Sequence, residues 1–192
     1  MRYLIGMLFL LLTLQVFAQT QIEPEQLTIE DGLAQGFVAA IIQDREGFMW
    51  FSTKNGLNRY DGREFEVFTH DPNDPHSLSN DFVTSIVEYG DFLLVGGHDC
   101  ILNLFHKKTK KFYRIPLVTD GDQKPIRINQ ISIDATGQFW ISLGIPDLLM
   151  RIEFPEDFWN RFPDDSSLLA EINMDFKLQG FQFYAMDTNP DF

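Results

Sequence analysis

The fold of this chain is decided by residues 37–68, FVAAIIQDREGFMWFSTKNGLNRYDGREFEVF. Three turn sequences divide this stretch into four short segments: Asp44-Arg45-Glu46-Gly47, Lys54-Asn55-Gly56 and Asp61-Gly62. Asn-Gly and Asp-Gly supply the positive φ angles that tight hairpin turns need. The segments between the turns are rich in β-branched and aromatic residues, as strands prefer. The stretch therefore predicts one four-stranded antiparallel meander.

The same pattern returns along the chain. Residues 82–87, FVTSIV, repeat residues 37–42, FVAAII, at a shift of 45 residues. Residues 134–142, DATGQFWIS, repeat residues 44–52, DREGFMWFS, at a shift of 90, which is two periods. A four-stranded repeat of about 45 residues is typical of a β-propeller blade. The predicted fold class is therefore all-β: an incomplete propeller of about three blades plus the start of a fourth.

The residues that recur in register, with one turn glycine, are assigned to the architecture of the repeat. They are Asp44, Gly47, Trp50, Gly56, Asp134, Gly137 and Trp140. Each aspartate ends a strand and can accept hydrogen bonds from its own turn backbone, which leaves the left-handed position to the glycine that follows. Each tryptophan lies on a second strand, where it can pack between blades as a large apolar anchor.

The first repeat resembles the two-component regulator propeller repeat, V-x-x-I-x-x-D-x-x-G-x-x-W-x-x-T-x-x-G-L-x-R-Y-D. The matching residues are Val38, Ile41, Asp44, Gly47, Trp50, Thr53, Gly56, Leu57, Arg59, Tyr60 and Asp61. Residues 27–33, LTIEDGL, are similar to the usual lead-in of the family. The resemblance is weaker in the second repeat, where Leu94 replaces the tryptophan. It implies the periplasmic sensor region of a hybrid histidine kinase, of the kind found mainly in Bacteroidetes.

The chain is divided by these patterns into six parts. They are a signal peptide (1–18), a lead-in segment (19–36), blade 1 (37–68), blade 2 (82–116), blade 3 with an aromatic insertion (126–162), and the rest of the insertion with the first strand of a truncated blade 4 (163–192). Residues 164–174 are predicted to form a short helix capped by Asp165 or Ser166. Three blades do not close a ring, so we expect either a fragment of a longer sensor or a truncated product.

The N-terminal residues predict export to the periplasm. Arg2 precedes a nearly continuous apolar run, and Val16-Phe17-Ala18 is an acceptable cleavage site before Gln19. The apolar run is shorter than the ~20 residues that a membrane span needs. After cleavage, we expect no membrane contact by this segment.

Charge and cysteine content exclude several classes of protein. The formal net charge is −13 and becomes −14 without Arg2, so nucleic acid and anionic lipid surfaces are not expected partners. Cys100 is the single cysteine, which rules out an intrachain disulfide, and it is interpreted as a small buried residue. The histidines and aspartates of residues 70–76 are assigned to a loop, so no metal site and no cofactor are predicted.

No catalytic residues are predicted. The chain has no Gly-x-Ser-x-Gly or His-Glu-x-x-His motif, no phosphoacceptor-histidine segment and no glycine-rich nucleotide loop. It is therefore not expected to be an enzyme, although the resemblance implies a sensor histidine kinase as its parent. Residues 132–140, SIDATGQFW, are similar to a turn of sialidase-like propellers but have one extra residue between Asp and Gly. Such enzymes also need an arginine cluster, and the arginines here do not recur in that way.

Two groups of residues are candidates for ligand binding. Phe158 and Trp159 lie in the aromatic and acidic stretch 154–162, where exposed rings can stack on sugars, although the same rings can instead cover the unfinished core. Lys54 and Asn55 lie in one turn, and His98 and Asp99 in the corresponding turn of the next repeat, where they can line one rim.

The predicted function is the N-terminal part of a periplasmic sensor, responding by family resemblance to a carbohydrate. Its expected partners are an oligosaccharide, and the remainder of its own sensor or a second protomer. One alternative is a secreted propeller that acts as a scaffold for protein interaction. The second alternative is a fragment of a sialidase-like propeller enzyme.

Overall fold

The first two repeats form two separate four-stranded sheets. The computed structural model describes residues 26–117, 127–144 and 148–179. Blade 1 contains strands β1 (Val38–Gln43), β2 (Met49–Thr53), β3 (Gly56–Tyr60) and β4 (Phe65–Phe68), preceded by a short 3-10 helix at Ile29–Asp31. Blade 2 contains β5 (Val83–Tyr89), β6 (Phe92–Gly97), β7 (Ile101–His106) and β8 (Lys111–Pro116). Both sheets are antiparallel meanders in sequence order, as predicted.

The third sheet is built in the same way but includes a long connection. Its strands are β9 (Arg127–Ile133), β10 (Phe139–Gly144), β11 (Leu148–Glu153) and β12 (Asn173–Gln179). Helix α1 (Phe158–Arg161) and a 3-10 helix (Ser166–Glu171) lie between β11 and β12. The three sheets do not close into a ring within the described residues, in agreement with the predicted incomplete all-β propeller.

Strand β12 was not predicted from the sequence. The insertion separates it from β11, so the period of the repeat does not reach it, yet β12 completes the third sheet by pairing with β11. Part of the helix predicted at residues 164–174 is present as the 3-10 helix Ser166–Glu171, whereas Asn173 and Met174 belong to β12. Asp165 is the cap of the helix, accepting a hydrogen bond from the Ser167 N–H. The predicted signal peptide and the predicted first strand of blade 4 lie outside the described residues.

Neighbouring blades are held together by two apolar cores. Trp50 and Leu57 of blade 1 pack with Phe105 and Phe112 of blade 2 in one core. Leu94 of blade 2 packs with residues of blade 3 and of the insertion in the other core. The buried residues of the second core that come from blade 3 and the insertion are Ile128, Ile131, Phe139, Ile141, Leu143, Met150, Ile152, Phe158, Phe162 and Leu168. The blades are therefore stacked face to face, each covering one face of the next.

The exposure of one repeated isoleucine shows which face is uncovered. Ile41 on β1 is 54% exposed, whereas its equivalents Ile86 on β5 and Ile131 on β9 are 4% and 2% exposed. Strands β5 and β9 are each covered by the preceding blade, but no described residue covers β1 in the same way. The isoleucine at this repeat position therefore packs between blades in blades 2 and 3, whereas in blade 1 it has no blade to pack against among the described residues.

This difference predicts unequal effects of one substitution at two equivalent positions. We expect Ile86→Ala to lower the free energy of unfolding by about 3 kcal/mol, because it opens a cavity between blades. We expect Ile41→Ala to change it by less than about 0.5 kcal/mol, since its side chain is mostly exposed. Urea denaturation of the two variants measures both effects, and equal losses would show that blades 1 and 2 do not pack as described.

The lead-in segment before β1 belongs to the first repeat. The Ala34 N–H donates to the Asn58 side-chain oxygen over 2.9 Å, and the Ser79 N–H donates to Asn103 over 3.0 Å. Both residues of the second pair lie 45 positions after those of the first, so the bond is a feature of the repeat. Sequence reasoning placed blade 1 from residue 37 and missed this bond, although Asn58 and Asn103 are in register.

Candidate functional site

The blades have two rims, which differ in what they present. At one rim, β1, β5 and β9 begin, and the β2–β3 and β6–β7 turns lie beside them, as the pairs Val38–Thr53, Val83–Gly97 and Arg127–Gly144 show. We call this the upper rim and use the name for Phe37, Lys54, Asn55, Phe82, His98, Asp99 and Arg127. The lower rim carries the turns at residues 44–47, 107–110 and 134–137 and the aromatic insertion.

Lys54 links blade 1 to blade 2 at the upper rim. Its Nζ lies 4.5 Å from the ring centroid of Phe37 and 5.3 Å from that of Phe82. The two rings meet edge to face at 6.0 Å. A cation over an aromatic face at an exposed site contributes about 0.5–1 kcal/mol. The ammonium group is thus held above two rings and remains open to solvent.

His98 extends this cluster. Its ring stacks on Phe82, with centroids 4.0 Å apart and an angle of 14° between the planes. The backbone N–H of His98 donates to the Phe82 carbonyl over 3.0 Å, which fixes the turn against the start of β5. Lys54 and His98, which were predicted to share one rim, therefore both contact the ring of Phe82.

Asp99 and Asn55 occupy different surroundings. Asn55 is exposed, and its N–H donates to the Thr53 hydroxyl over 3.0 Å. Asp99 is half-buried, and burial raises the pKa of its carboxyl, a shift that the hydrogen bond with Ser79 only partly opposes. Its Oδ1 is enclosed and has no hydrogen-bond donor among the described residues. Asp99 therefore faces the interior of the turn.

Arg127 is the residue of blade 3 that corresponds to Phe37 and Phe82. Its Nε donates to Asn129 over 2.8 Å. Gly144 pairs with Arg127, and a Cβ there would stand 2.8 Å from the Arg127 Nε, so a glycine is needed for the arginine to lie where it does. Sequence reasoning did not assign Phe37, Phe82 or Arg127 to a site. The available signal was their common repeat position, each 45 residues from the next.

The β2–β3 turn that carries Lys54 depends on Gly56. This residue has a φ of 99°, and a Cβ would lie 2.3 Å from the carbonyl oxygen of Phe68. Its N–H donates to the Asp81 carbonyl over 2.6 Å, which ties the turn to the segment before β5. A side chain at this position would displace the turn, as expected from the predicted structural role of Gly56.

At the lower rim, each repeated aspartate organises its turn. Asp44 Oδ1 accepts from the N–H groups of Glu46 and Phe48, at 3.0 and 2.9 Å, and its Oδ2 accepts from Trp50 Nε1 at 2.8 Å. Gly47 has a φ of 92°. The bonds to the turn backbone and the left-handed glycine agree with the prediction. The indole bond was missed, although the Asp-x-x-Gly-x-x-Trp spacing places both side chains across one hairpin.

The same arrangement returns in blade 3. Asp134 Oδ1 accepts from the N–H groups of Thr136 and Gln138, Oδ2 accepts from Trp140 Nε1 at 2.8 Å, and Gly137 has a φ of 84°. Hydrogen bonds from the Thr136 and Trp140 side chains hold the pKa of the Asp134 carboxyl well below its usual range. Trp140 is half-buried, whereas Trp50 is 1% exposed, because blade 2 covers Trp50.

A buried lysine joins blades 1 and 2 at the lower rim. Lys107 Nζ lies 2.6 Å from Glu88, 3.6 Å from Glu46 and 4.0 Å from Asp44, and its side chain is 7% exposed. Glu88 also accepts from the Arg45 N–H. Burial lowers the pKa of Lys107, but the hydrogen bond and charge of Glu88 and the charges of Asp44 and Glu46 outweigh it, so the pKa is raised overall.

The aromatic insertion covers the second core. Phe158 is fully buried, so its ring has no face open to a ligand, which speaks against its predicted role in ligand binding. Trp159 is partly buried between Tyr89, Phe92 and Phe139, with centroids 4.7, 5.5 and 5.6 Å away. It lines a groove of about 380 Å³ that also includes Glu153 and Glu156. Ligand binding by Trp159 stays a prediction.

Cys100 lies beside the upper rim and is poorly suited to act as a nucleophile. Burial, together with the charge of Asp99, raises the pKa of its thiol to about 11. A thiol attacks as its thiolate, and almost none is present near neutral pH at such a pKa.

In the part of the chain that the structure describes, no helix is long and apolar enough to cross a membrane.

These features define a class of protein: a chain of stacked β-propeller blades, two of which carry the same aspartate–tryptophan turn. Residues 32–55 match the family described as the two-component regulator propeller. This match confirms, for the first repeat, the resemblance inferred from the sequence.

Two known proteins are similar to part of this chain. Histidine kinase P4 of Formosa agariphila is 43% identical over 49 residues, which are 26% of this chain and 4% of the kinase. The extracellular domain of a hybrid two-component system from B. thetaiotaomicron is similar in structure over 62% of this chain and 17% of that domain, with a TM-score of 0.53 and 23% identity. The chain thus spans a small part of each, and the structural likeness shows a common fold, which is that of propeller blades and not of a kinase core.

Proposed function

We propose that this chain supplies blades of an exported, ligand-sensing propeller in a two-component regulator, and that its ligand is an oligosaccharide bound at the upper rim. The observation that carries the proposal is the meeting of side chains from two blades at that rim. Lys54 Nζ and the Phe37 ring of blade 1 lie 5.3 and 6.0 Å from the ring centroid of Phe82 of blade 2. His98 of blade 2 stacks on the same Phe82 ring at 4.0 Å. A ligand held there touches both blades.

The chemistry of the rim suits a sugar. Phe37 is 47% exposed, so part of its ring can pack against the C–H face of a pyranose. Lys54, Asn55 and His98 are exposed and can hydrogen-bond hydroxyl groups. Rim loops on a rigid scaffold are a common place for binding residues.

Export and signalling are supported by other observations. Residues 1–18 have the charge and apolar pattern of a signal peptide, and the similar solved structure is an extracellular domain. In the parent protein, a ligand that binds one arrangement of a dimeric sensor more tightly than the other shifts the balance toward it. The remainder of the sensor, or a second protomer, is the expected partner in that step.

A secreted scaffold for protein interaction is the alternative function. Its support is the exposed apolar strip on β1, where Ile41 is 54% exposed. Sugar binding at the upper rim distinguishes the two functions. A scaffold that binds proteins through blade 1 is not expected to bind a sugar there.

The test is thermal unfolding of the full chain, expressed with its own N-terminal segment, in the presence of a panel of neutral and acidic oligosaccharides. A ligand at one hundred times its Kd stabilises the protein by about 2.7 kcal/mol. For a chain of this size, that corresponds to a rise in Tm of roughly 5–10 °C.

Two alanine variants locate the binding site. We expect Phe37→Ala at the upper rim to abolish the rise in Tm, and Trp159→Ala at the lower rim to preserve it. No rise with any oligosaccharide would contradict the proposed function. A rise that is lost only in Trp159→Ala would move the site to the groove of the insertion.

A further inference from the structure

The upper rim gathers basic side chains in a strongly acidic protein. Lys54 comes from blade 1, His98 from blade 2 and Arg127 from blade 3, all at the end where β1, β5 and β9 begin. The whole chain has a formal net charge of −13. These basic side chains at one rim contrast with the net negative charge of the chain, and one of them, Lys54, lies against the exposed ring of Phe37.

Lys54 differs from the lysines of the lower rim in its surroundings. Lys107, Lys108 and Lys110 each lie 2.6 Å from a carboxylate. Among the described residues, no carboxylate lies within ion-pairing distance of Lys54, whose ammonium stands over the rings of Phe37 and Phe82. Contact with a ring face leaves the three N–H donors of a lysine able to bind an anion.

Two acidic residues at or beside the upper rim, Asp99 and Asp81, make contacts with groups other than Lys54. Asp81 Oδ1 accepts from the His70 N–H at 2.6 Å, and Asp99 is half-buried in its turn and bonded to Ser79. Burial raises the pKa of the Asp99 carboxyl, which favours its uncharged form relative to an exposed aspartate. Neither carboxylate is placed to neutralise Lys54.

We propose that the ligand of the upper rim is an acidic sugar, with a carboxylate or sulfate that binds Lys54 while its pyranose ring packs on Phe37. The proposal rests on the proposed function and narrows its ligand class. A neutral sugar would leave the Lys54 ammonium without a charged partner, whereas a charge-assisted hydrogen bond is about twice as strong as a neutral one.

The test compares three tetrasaccharides, built from galacturonic acid, from galactose and from sulfated galactose. Calorimetric titration of the full chain at low salt is expected to give a Kd at least tenfold lower for an acidic tetrasaccharide than for the neutral one. The first and third probes distinguish carboxylate from sulfate. The preference should shrink as salt is raised, because exposed charges are screened.

Lys54→Met is the decisive variant, since methionine keeps an apolar chain over the two rings and removes the charge. We expect it to lose about tenfold in affinity for the acidic probe and clearly less for the neutral probe, to which Lys54 can offer only a hydrogen bond to a hydroxyl group. Lys108→Met, at an exposed lysine of the lower rim, is the matched control and should bind as the unaltered chain does. Circular dichroism melting of both variants checks that they fold.

The outcomes separate the two proposals. Equal affinity for neutral and acidic probes, or an acidic preference that survives Lys54→Met, would overturn the acidic-sugar inference and leave the proposed function standing. Failure of the unaltered chain to bind any of the three probes, and any oligosaccharide of the wider panel, would overturn both.

Discussion

Replacing Trp50 by alanine is expected to lower the free energy of unfolding by about 3–5 kcal/mol, the usual cost of removing a buried aromatic side chain. Trp50 is 1% exposed and packs against Phe68 and Phe105, with centroids 6.0 and 5.5 Å away. The substitution also leaves Asp44 Oδ2 without the indole donor. Both losses fall on the interface between blades 1 and 2. Urea denaturation followed by circular dichroism measures the change.

Trp140→Ala is the matched control, because Trp140 makes the same hydrogen bond, to Asp134, but is only half-buried. We expect a smaller loss, about 1–2 kcal/mol. If Trp50→Ala does not fold, Trp50→Phe keeps an aromatic ring, removes the indole donor and part of the buried ring volume, and should cost about 1–3 kcal/mol. A loss from Trp140→Ala as large as that from Trp50→Ala would contradict the assignment of covered and uncovered faces.

Replacing Lys107 by methionine is the second substitution with a large expected effect. The change leaves Glu88, Glu46 and Asp44 close together without their cation. Removal of one partner from a buried ion pair typically costs 3–5 kcal/mol. Because Glu46 is partly exposed, we expect a loss of about 3 kcal/mol in the free energy of unfolding.

The control for this variant is Lys108→Met. Lys108 is 68% exposed and pairs with Asp91, which is 51% exposed, so its loss should cost less than about 1 kcal/mol. The pKa of Lys107 is raised, so its contribution is complete below the ordinary lysine pKa and is lost as the pH rises through the folded value. Equal stability of the two methionine variants near pH 7 would show that Lys107 does not join the blades.

The repeat made much of the fold predictable. Turn residues such as Gly47 and Gly137 act locally, and the sequence spacing alone places them in hairpins. The burial of Trp50 and the exposure of Ile41 depend on which blade covers which face, and equivalent residues cannot reveal that from the sequence. Strand β12 was missed for a different reason: the insertion breaks the period, and only pairing with β11 identifies it.

The candidate site was predicted in part. Lys54 and His98 were found because their turns occupy the same repeat position. Phe37 and Phe82 were seen only as strand residues, since the contacts of Phe82 with Lys54 and Phe37 join two blades and no local pattern encodes them. Phe158 was predicted as a ligand-binding ring because an aromatic and acidic stretch has the composition of a binding site. Its full burial follows from the shape of the gap between blades 2 and 3, which composition does not describe.

The central claim, a sugar site at the upper rim, is tested most directly by hydrogen–deuterium exchange of the full chain with and without bound oligosaccharide. We predict slower exchange at residues 35–38, 53–56, 81–83 and 97–100, with unchanged exchange in the insertion at residues 154–162. Slower exchange confined to residues 154–162 would contradict the claim and place the ligand in the groove beside Trp159.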